Sequence, residues 1–143
     1  MFGAIEDPDY WRAEVEPLLG GDIAYGGHLD GDALAAELGR ASLFVFTPCW
    51  DEPFGLVAAE AMACGLPVAA FDMGAAREVI GEAGAFAPAS DVPALAEAMR
   101  SALAIPREVA RDRVMRLFTR DRWLDRCEAL YREVAHDPSA IAA

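Results

Sequence analysis

The chain has 143 residues, 55% of them hydrophobic, and carries a formal net charge of −12 at pH 7; its 12 Lys and Arg residues are all arginine. Such an acidic chain is an unlikely partner for nucleic acid or for an anionic membrane surface. No apolar run approaches the roughly 20 residues of a transmembrane helix, so we predict no transmembrane segment.

The length supports one hydrophobic core, so we expect a single domain over residues 1–136 and a loose tail over 137–143. The N-terminus, MFGAIEDPDYWR, has neither a basic start nor a long apolar region, which speaks against a signal peptide. A cytoplasmic location is therefore expected.

The first forty residues carry two helix patterns. One covers Asp9 to Leu19 and ends at Gly20-Gly21, and the other covers Asp32 to Leu38. Two short strands are expected with them, a stub at Phe2 to Ile5 and a strand at Ile23 to Tyr25.

From Ser42 onward, strands and helices alternate. This spacing predicts an α/β fold of the Rossmann-like type, with a parallel sheet covered by helices on both faces. The last helix has an apolar stripe that we assign to the core: Trp123, Cys127, Leu130, Tyr131 and Val134. The predicted strands are Ser42–Phe46 and Pro67–Phe71, both buried, and Gly84–Ala87; the predicted helices are Leu56–Cys64, Ala75–Ile80, Val92–Leu103, Pro106–Phe118 and Asp121–Val134.

Polar and glycine-rich segments follow the predicted strands. They include Gly26 to His28, Thr47 to Gly55 and Asp72 to Gly74. Ligands of open parallel sheets bind beyond the carboxyl ends of the strands. The sequence therefore predicts one functional edge.

Two glutamates flank the start of the helix that follows Gly55. The neighbours of Glu60 one turn away are apolar, so we expect its carboxylate either to be paired in the core or to face a ligand. Glu52 lies at the helix start, where free N–H groups suit a phosphate or a sugar oxygen. Glu60 would lie about 8 Å further along the axis. A nucleotide sugar, with an anionic middle and hydroxyls at both ends, fits this arrangement.

The segment from Glu52 to Glu60, with PFGL between the glutamates and EAMACGLPV continuing from the second, resembles the signature of the retaining GT-B glycosyltransferases of glycosyltransferase family 4. The flanking segments EDPDYWRAEVEPLL, IAYGGHL and FTRDRWLDRCEALYREV extend the resemblance over nearly the whole chain. It covers only the C-terminal, donor-binding half of such enzymes. Their first strand, usually in mid-sheet, is reduced here at best to Phe2 to Ile5.

The resemblance implies a role for each matching residue. Glu60 would bind the ribose hydroxyls of the donor, and Glu52 would lie by the transferred sugar. The sugar and diphosphate would meet the backbone N–H groups of Phe54, Gly55 and Leu56, and the base would be bordered by the loop at Gly27 and His28. The resemblance implies neither a metal nor a cofactor, because the nucleotide sugar is the substrate.

Other interpretations stay open at this point. Glu52 is also explained as a loop carboxylate that stabilises a helix N-terminus by about 0.3–1 kcal/mol, and Glu60 as half of a structural ion pair with an arginine. The missing acceptor-binding half implies that the isolated chain is weakly active or inactive. The alternatives are a non-catalytic donor-binding subunit that works with an acceptor-binding domain or subunit, or a remnant that acts through a partner.

Overall fold

The structure, a computed structural model, describes residues 1–136, so the tail predicted over 137–143 lies outside the described residues. The chain divides into two compact units, residues 1–40 and the residues from Ala41 onward. The single domain predicted over 1–136 stays a prediction.

The first unit contains two helical segments. Helix α1 (Pro8–Tyr10) begins at Asp7, whose carboxylate accepts the N–H groups of Asp9 and Tyr10, both at 3.0 Å. It continues as a π turn (Trp11–Val15) and a 3-10 turn (Glu16–Leu18), which confirms the predicted helix as a stretch of mixed geometry. Helix α2 (Gly31–Arg40) contains the second predicted helix.

The two strands predicted in this unit are wrong. Residues 2–5 and 23–25 form no strand; Met1 to Gly3 instead lies beside Ala24 to Gly27, with the N–H of Gly26 donating to Met1 at 2.8 Å and that of Gly3 to Gly27 at 3.0 Å. Gly3, inside the first predicted strand, has a φ angle of +148°, and Ile23 of the second forms only an isolated bridge with Gly20. Strand residues take negative φ values.

The second unit is built on a parallel sheet. Its strands are β1 (Phe44–Phe46), β2 (Val68–Phe71) and β3 (Gly84–Ala87), in the spatial order β1-β2-β3. Phe44 lies opposite Val68, which lies opposite Gly84. Parallel neighbours require crossover connections, and helices supply them here. The predicted α/β class is therefore confirmed.

Helices cover both faces of this sheet, as predicted. They are α3 (Leu56–Ala63), α4 (Ala76–Ile80), α5 (Val92–Ala102), α6 (Arg107–Leu117) and α7 (Arg120–His136). One core cluster joins Val68 and Ala70 to α3, α4 and α6 through Ala58, Met62, Val79, Ile80, Ala110 and Val114. The other joins Ala69, Phe71 and Ala87 to α5 through Leu95, Ala98 and Ala102. Since successive side chains of β2 alternate between the two clusters, this strand is buried throughout.

Two burial predictions are wrong. Strand β1 is only partly buried, with Val45 38% exposed, because β1 lies at the edge of the described sheet. No described residue of α7 is buried, and Trp123 and Tyr131 of its apolar stripe are 62% and 72% exposed. The spacing of the stripe predicted the shared face correctly, but burial also requires a second element against that face. None of the described helices has both the length and the apolar content needed to cross a membrane.

Candidate functional site

The loop after β1 leads directly into α3 and carries the first candidate carboxylate. Pro48 anchors the loop in the core, whereas Trp50 and Asp51 are exposed. The N–H of Glu52 donates to the carbonyl of Trp50 at 2.8 Å, which closes a tight turn. Glu52 itself is half-buried.

Glu52 is held by both its side chain and its backbone. Its Oε1 accepts the N–H of Gly55 at 3.2 Å, and its carbonyl accepts the N–H of Ala75 at 2.9 Å. The second bond brings the loop between β2 and α4 against Glu52. That approach requires a glycine at position 74, where φ is +54° and a Cβ would lie 2.4 Å from the carbonyl oxygen of Glu52.

Gly55 sets the start of α3. Its φ is +82°, and a Cβ would lie 2.9 Å from Cζ of Phe46, so neither backbone nor packing leaves room for a side chain. Its carbonyl accepts the N–H groups of Ala58 at 3.0 Å and Ala59 at 3.3 Å. The N–H groups of Leu56 and Val57 find no acceptor within residues 1–136. An N-terminus of this kind attracts anions and oxygen acceptors.

Arginines occupy the opposite end of α3. Arg107 Nη2 donates to the carbonyl of Cys64 at 3.1 Å, and Arg111 Nη1 donates to that of Ala63 at 3.2 Å. Gly65, at φ +79°, ends the helix as predicted. Cations at a helix C-terminus complement its dipole. These two arginines of α6 therefore stabilise α3 at the end away from Glu52.

Glu60 is exposed on the face of α3 that carries Leu56 and Val57. Helix α3 buries Ala58, Ala59, Ala61 and Met62, whereas Leu56 is 69% exposed. The alternative in which Glu60 is paired inside the core is therefore wrong, and its facing a ligand stays a prediction. Within residues 1–136 its carboxylate makes no hydrogen bond or ion pair, so the alternative of a structural ion pair is excluded for the described chain.

The structure places the other predicted site residues in two groups. Phe54 lies between Glu52 and Gly55, and its ring packs edge-on against Phe118 at 5.3 Å, so only its backbone can serve a ligand. Gly27 and His28 belong to the first unit, where Gly27 takes a φ of +79° and His28 is exposed. The loop and helix from Glu52 to Glu60 thus form the described core of the site.

An ion pair at the same edge was not predicted. Asp72 follows β2, and Arg77 donates to it from Nη2 at 2.5 Å and from Nε at 3.1 Å. The hydrogen bond from Arg77 is the largest cause that lowers the pKa of the Asp72 carboxyl below its ordinary value. The guanidinium also lies 4.5 Å from the centre of the Phe86 ring. The sequence signal that could have predicted this ion pair is an aspartate at the end of a strand with an arginine five positions later.

Solved structures share this fold. The sucrose-phosphate synthase of Thermosynechococcus elongatus aligns with a TM-score of 0.78 and 33% identity over 94% of this chain and 38% of its own. A glycosyltransferase involved in avilamycin A biosynthesis aligns with a TM-score of 0.80 over 95% of this chain and 43% of its own; at 23% identity it supports the fold alone. These structural neighbours confirm the GT-B type of α/β fold that the sequence predicted.

Curated relatives match over part of the chain. A phosphatidyl-myo-inositol mannosyltransferase of Mycobacterium leprae is 39% identical over 95 residues, which are 65% of this chain and 25% of the relative. The O-antigen chain mannosyltransferase B of Escherichia coli is 36% identical over 63% of this chain and 23% of its own length. A glycogen synthase of Mycobacterium tuberculosis is 44% identical over 56% of this chain and 20% of its own. The chain thus spans a quarter or less of the length of these relatives.

A model of one protein family covers most of the chain. It is the model described as Glycosyl transferases group 1, and it matches residues 2–104, a range that includes β1 to β3 and the loop and helix from Glu52 to Glu60. The chain therefore belongs to the group 1 glycosyl transferases.

Proposed function

We propose that this chain binds a nucleotide-sugar donor for retaining transfer of the sugar to an acceptor hydroxyl, as glycosyltransferase family 4 enzymes do. The observation that carries the proposal is the exposed, unpartnered carboxylate of Glu60. It lies on the second turn of a helix whose first N–H groups have no acceptor within residues 1–136. At the rise of an α-helix, Glu60 lies about 5–6 Å along the axis from these N–H groups, so an acceptor for hydroxyl groups would lie near a site for anionic oxygens.

In this proposal Glu60 binds the ribose. A carboxylate can accept hydrogen bonds from two neighbouring hydroxyls, one on each oxygen, and such charge-assisted bonds are stronger than neutral ones. The exposed side chains of Leu56 and Val57 border it with apolar surface. That combination suits a nucleoside, which has an apolar ring system beside polar hydroxyls.

Glu52 and the helix start bind the other end of the donor. Oε1 of Glu52 accepts the N–H of Gly55 at 3.2 Å, which leaves capacity on the carboxylate for a sugar hydroxyl. The backbone N–H groups of Phe54 and Leu56 meet the sugar and the diphosphate, and that of Gly55, the third amide the resemblance implies, is engaged by Glu52. Because charge builds up on the diphosphate as it leaves, fixed backbone dipoles aimed at it favour the transition state.

The remaining assignments follow the family resemblance. For Gly27 and His28, in the first unit, the resemblance implies a role at the base of the nucleotide. The site uses neither a metal nor a cofactor, and the nucleotide sugar is a substrate. Cytoplasmic location is proposed with it, since such donors are soluble small molecules.

The donor proposal is tested by titrating the 143-residue chain with UDP, GDP and ADP and with their glucose or mannose conjugates, followed by ligand-observed NMR and calorimetry. We expect one nucleotide to bind selectively and Glu60→Gln to weaken it by about tenfold or more, the effect of losing a charged hydrogen-bond partner. The free energy of unfolding should change by less than about 0.5 kcal/mol, because Glu60 is exposed.

Glu133→Gln is the matched control, since Glu133 is also an exposed helical glutamate without a partner in the described chain. It should leave nucleotide affinity unchanged. Equal affinity of wild type and Glu60→Gln for every nucleotide would contradict the ribose role. A well-folded chain that binds no nucleotide would overturn the proposed function.

A second candidate is a donor-binding subunit that transfers sugar only with a partner that supplies the acceptor site. The specific observation in its favour is that the chain spans a quarter or less of the relatives described above. Moreover, Arg77, the arginine that follows β2, is already paired with Asp72. It is therefore not free to neutralise a donor diphosphate, and a partner would have to supply that charge. Donor binding without hydrolysis or transfer by the chain alone supports this candidate, and turnover by the chain alone contradicts it.

A further inference from the structure

We propose that the indole of Trp50 is the sugar-binding platform of this site, on which a pyranose ring stacks. The inference rests on the proposed function and adds a residue that selects the sugar. Trp50 lies two positions before Glu52, in the loop that leads from β1 into α3. Its side chain is 59% exposed and belongs to neither core cluster of the described residues.

The backbone beneath the indole is fixed, although the ring is in solvent. The carbonyl of Trp50 accepts the N–H of Glu52 at 2.8 Å, and the carbonyl of Glu52 accepts the N–H of Ala75 at 2.9 Å. Pro48, two residues before Trp50, is buried. A large aromatic ring on an anchored loop meets a ligand at low cost in conformational entropy, because little backbone freedom remains to be lost.

The chemistry around the ring matches a sugar. A pyranose has faces made of C–H groups and a rim of hydroxyls. The indole offers an apolar face and one N–H donor, while Asp51 and Glu52, the next two residues of the chain, offer carboxylates that accept from hydroxyls. Ligand sites combine apolar or aromatic surface with a few placed polar groups in this way.

The same charges argue against a membrane surface as the occupant. Asp51 and Glu52 are next to the ring in sequence, and the chain has a net charge of −12. Anionic lipids are repelled by such a surface. A neutral polyhydroxyl ring is not, so the occupant we assign is a sugar.

The other two tryptophans provide a comparison. Trp11 packs on Tyr25, with ring centroids 4.5 Å apart, and so has a structural contact. Trp123 is 62% exposed, close to the value for Trp50, but it lies on α7 and outside the loop that carries Glu52. Trp123→Ala is therefore a matched control for the removal of an exposed indole.

The test measures three ligands on the 143-residue chain by calorimetry and saturation-transfer NMR: a nucleoside diphosphate, its sugar conjugate, and the methyl glycoside of that sugar. The variants are Trp50→Ala, Trp50→Phe and Trp123→Ala. If the pyranose that stacks on Trp50 belongs to the donor, Trp50→Ala lowers the affinity for the nucleotide sugar by about tenfold, the size of one lost aromatic stacking contact. The affinity for the nucleoside diphosphate stays unchanged. If the pyranose belongs to an acceptor, Trp50→Ala instead abolishes saturation transfer to the methyl glycoside.

Trp50→Phe should keep most of the affinity, and Trp123→Ala should keep all of it. If the sugar conjugate and the glycoside bind Trp50→Ala as tightly as they bind wild type, the proposal that Trp50 is a sugar-binding platform is overturned. Unchanged binding of the nucleoside diphosphate in that case would leave the proposed function intact. If no nucleotide binds the wild-type chain, the proposed function fails, and the platform fails with it.

Discussion

The carbonyl oxygen of Glu52 accepts a hydrogen bond of 2.9 Å from the N–H of Ala75, which joins the loop after β1 to the loop after β2. These loops leave the carboxyl ends of neighbouring parallel strands, so the fold brings them to one edge. The position of the candidate carboxylate is therefore set in part by residues of a second loop.

Gly74→Ala is expected to displace Glu52 without removing a ligand group. A Cβ at position 74 would lie 2.4 Å from the carbonyl oxygen of Glu52 and 2.5 Å from its nitrogen, and the φ of +54° disfavours any side chain. We expect a loss of about 1–3 kcal/mol in the free energy of unfolding. Urea denaturation measures this, and nucleotide titration should show weaker binding at the same temperature.

The control is Gly39→Ala on α2. A Cβ there meets nothing within 4 Å, and its φ is not in the left-handed region. Because alanine is the better helix former, this variant should be neutral or stabilising by about 0.5–1 kcal/mol. If Gly74→Ala and Gly39→Ala change the free energy of unfolding by the same amount, the close approach of Gly74 to Glu52 is not the reason for a glycine at position 74.

Arg113 joins α6 to the end of α4. Its Nε donates to the carbonyl of Val79 at 2.7 Å, its other nitrogens reach the carbonyl of Glu78 and the carboxylate of Glu82, and its side chain is only 11% exposed. It thereby satisfies carbonyls at the C-terminus of a short helix. The network is part of the frame behind the site rather than part of the site.

Arg113→Gln should destabilise the chain by about 2–3 kcal/mol, because the carbonyl of the buried residue Val79 loses a charged donor whose own side chain is only 11% exposed. Arg100→Gln should cost less than about 0.5 kcal/mol, since Arg100 forms an exposed ion pair with Glu97 on α5. Thermal and urea unfolding of both variants test this difference. Similar costs for the two substitutions would show that the buried network contributes no more than a surface pair.

The elements from β1 to α6 could be predicted from the sequence because each has a local signal. Apolar runs indicated the strands, and apolar stripes at helical spacing indicated the helices; the predicted start at Val92 is confirmed, with the carboxylate of Asp91 accepting the N–H of Ala94 at 2.9 Å. The strand at Phe2 to Ile5 was wrong because the positive φ angle of Gly3 is not visible in composition. The stripe of α7 was assigned to the core because periodicity does not tell whether another element covers it.

The candidate site was predicted in part for a similar reason. The spacing of Glu52 and Glu60 placed both along the start of one helix, and the structure agrees. The exposure of Glu60 was missed, because an alanine-rich helix reads as apolar on every side although only one side meets the sheet and α6. The contact between Gly74 and Glu52 joins residues 22 positions apart and has no local signal. Such contacts depend on which strands are neighbours.

The carboxylates of Asp72 and Glu82 should make the free energy of unfolding depend on pH in the acidic range. The pKa of Glu82 is lowered chiefly by a hydrogen bond from its own backbone, then by one from Arg116, and that of Asp72 is lowered chiefly by the hydrogen bond from Arg77. A pKa that is lower in the folded than in the unfolded chain adds stability above the unfolded pKa, and this stability is lost as pH falls through the folded value. The free energy of unfolding should therefore decrease from weakly acid to strongly acid pH.

The double variant Asp72→Asn, Glu82→Gln isolates this contribution. It should lose less stability than wild type between pH 6 and pH 3, roughly the range in which folded and unfolded carboxyl groups titrate. The difference should be modest, because both side chains are largely in solvent, and it should shrink in high salt, which screens exposed charges. Glu6→Gln, at an exposed glutamate without a partner in the described chain, should keep the wild-type pH dependence. An unchanged slope in the double variant would mean that these two pairs form equally well in the unfolded chain, since a pKa that does not differ between the states contributes nothing to the pH dependence of stability.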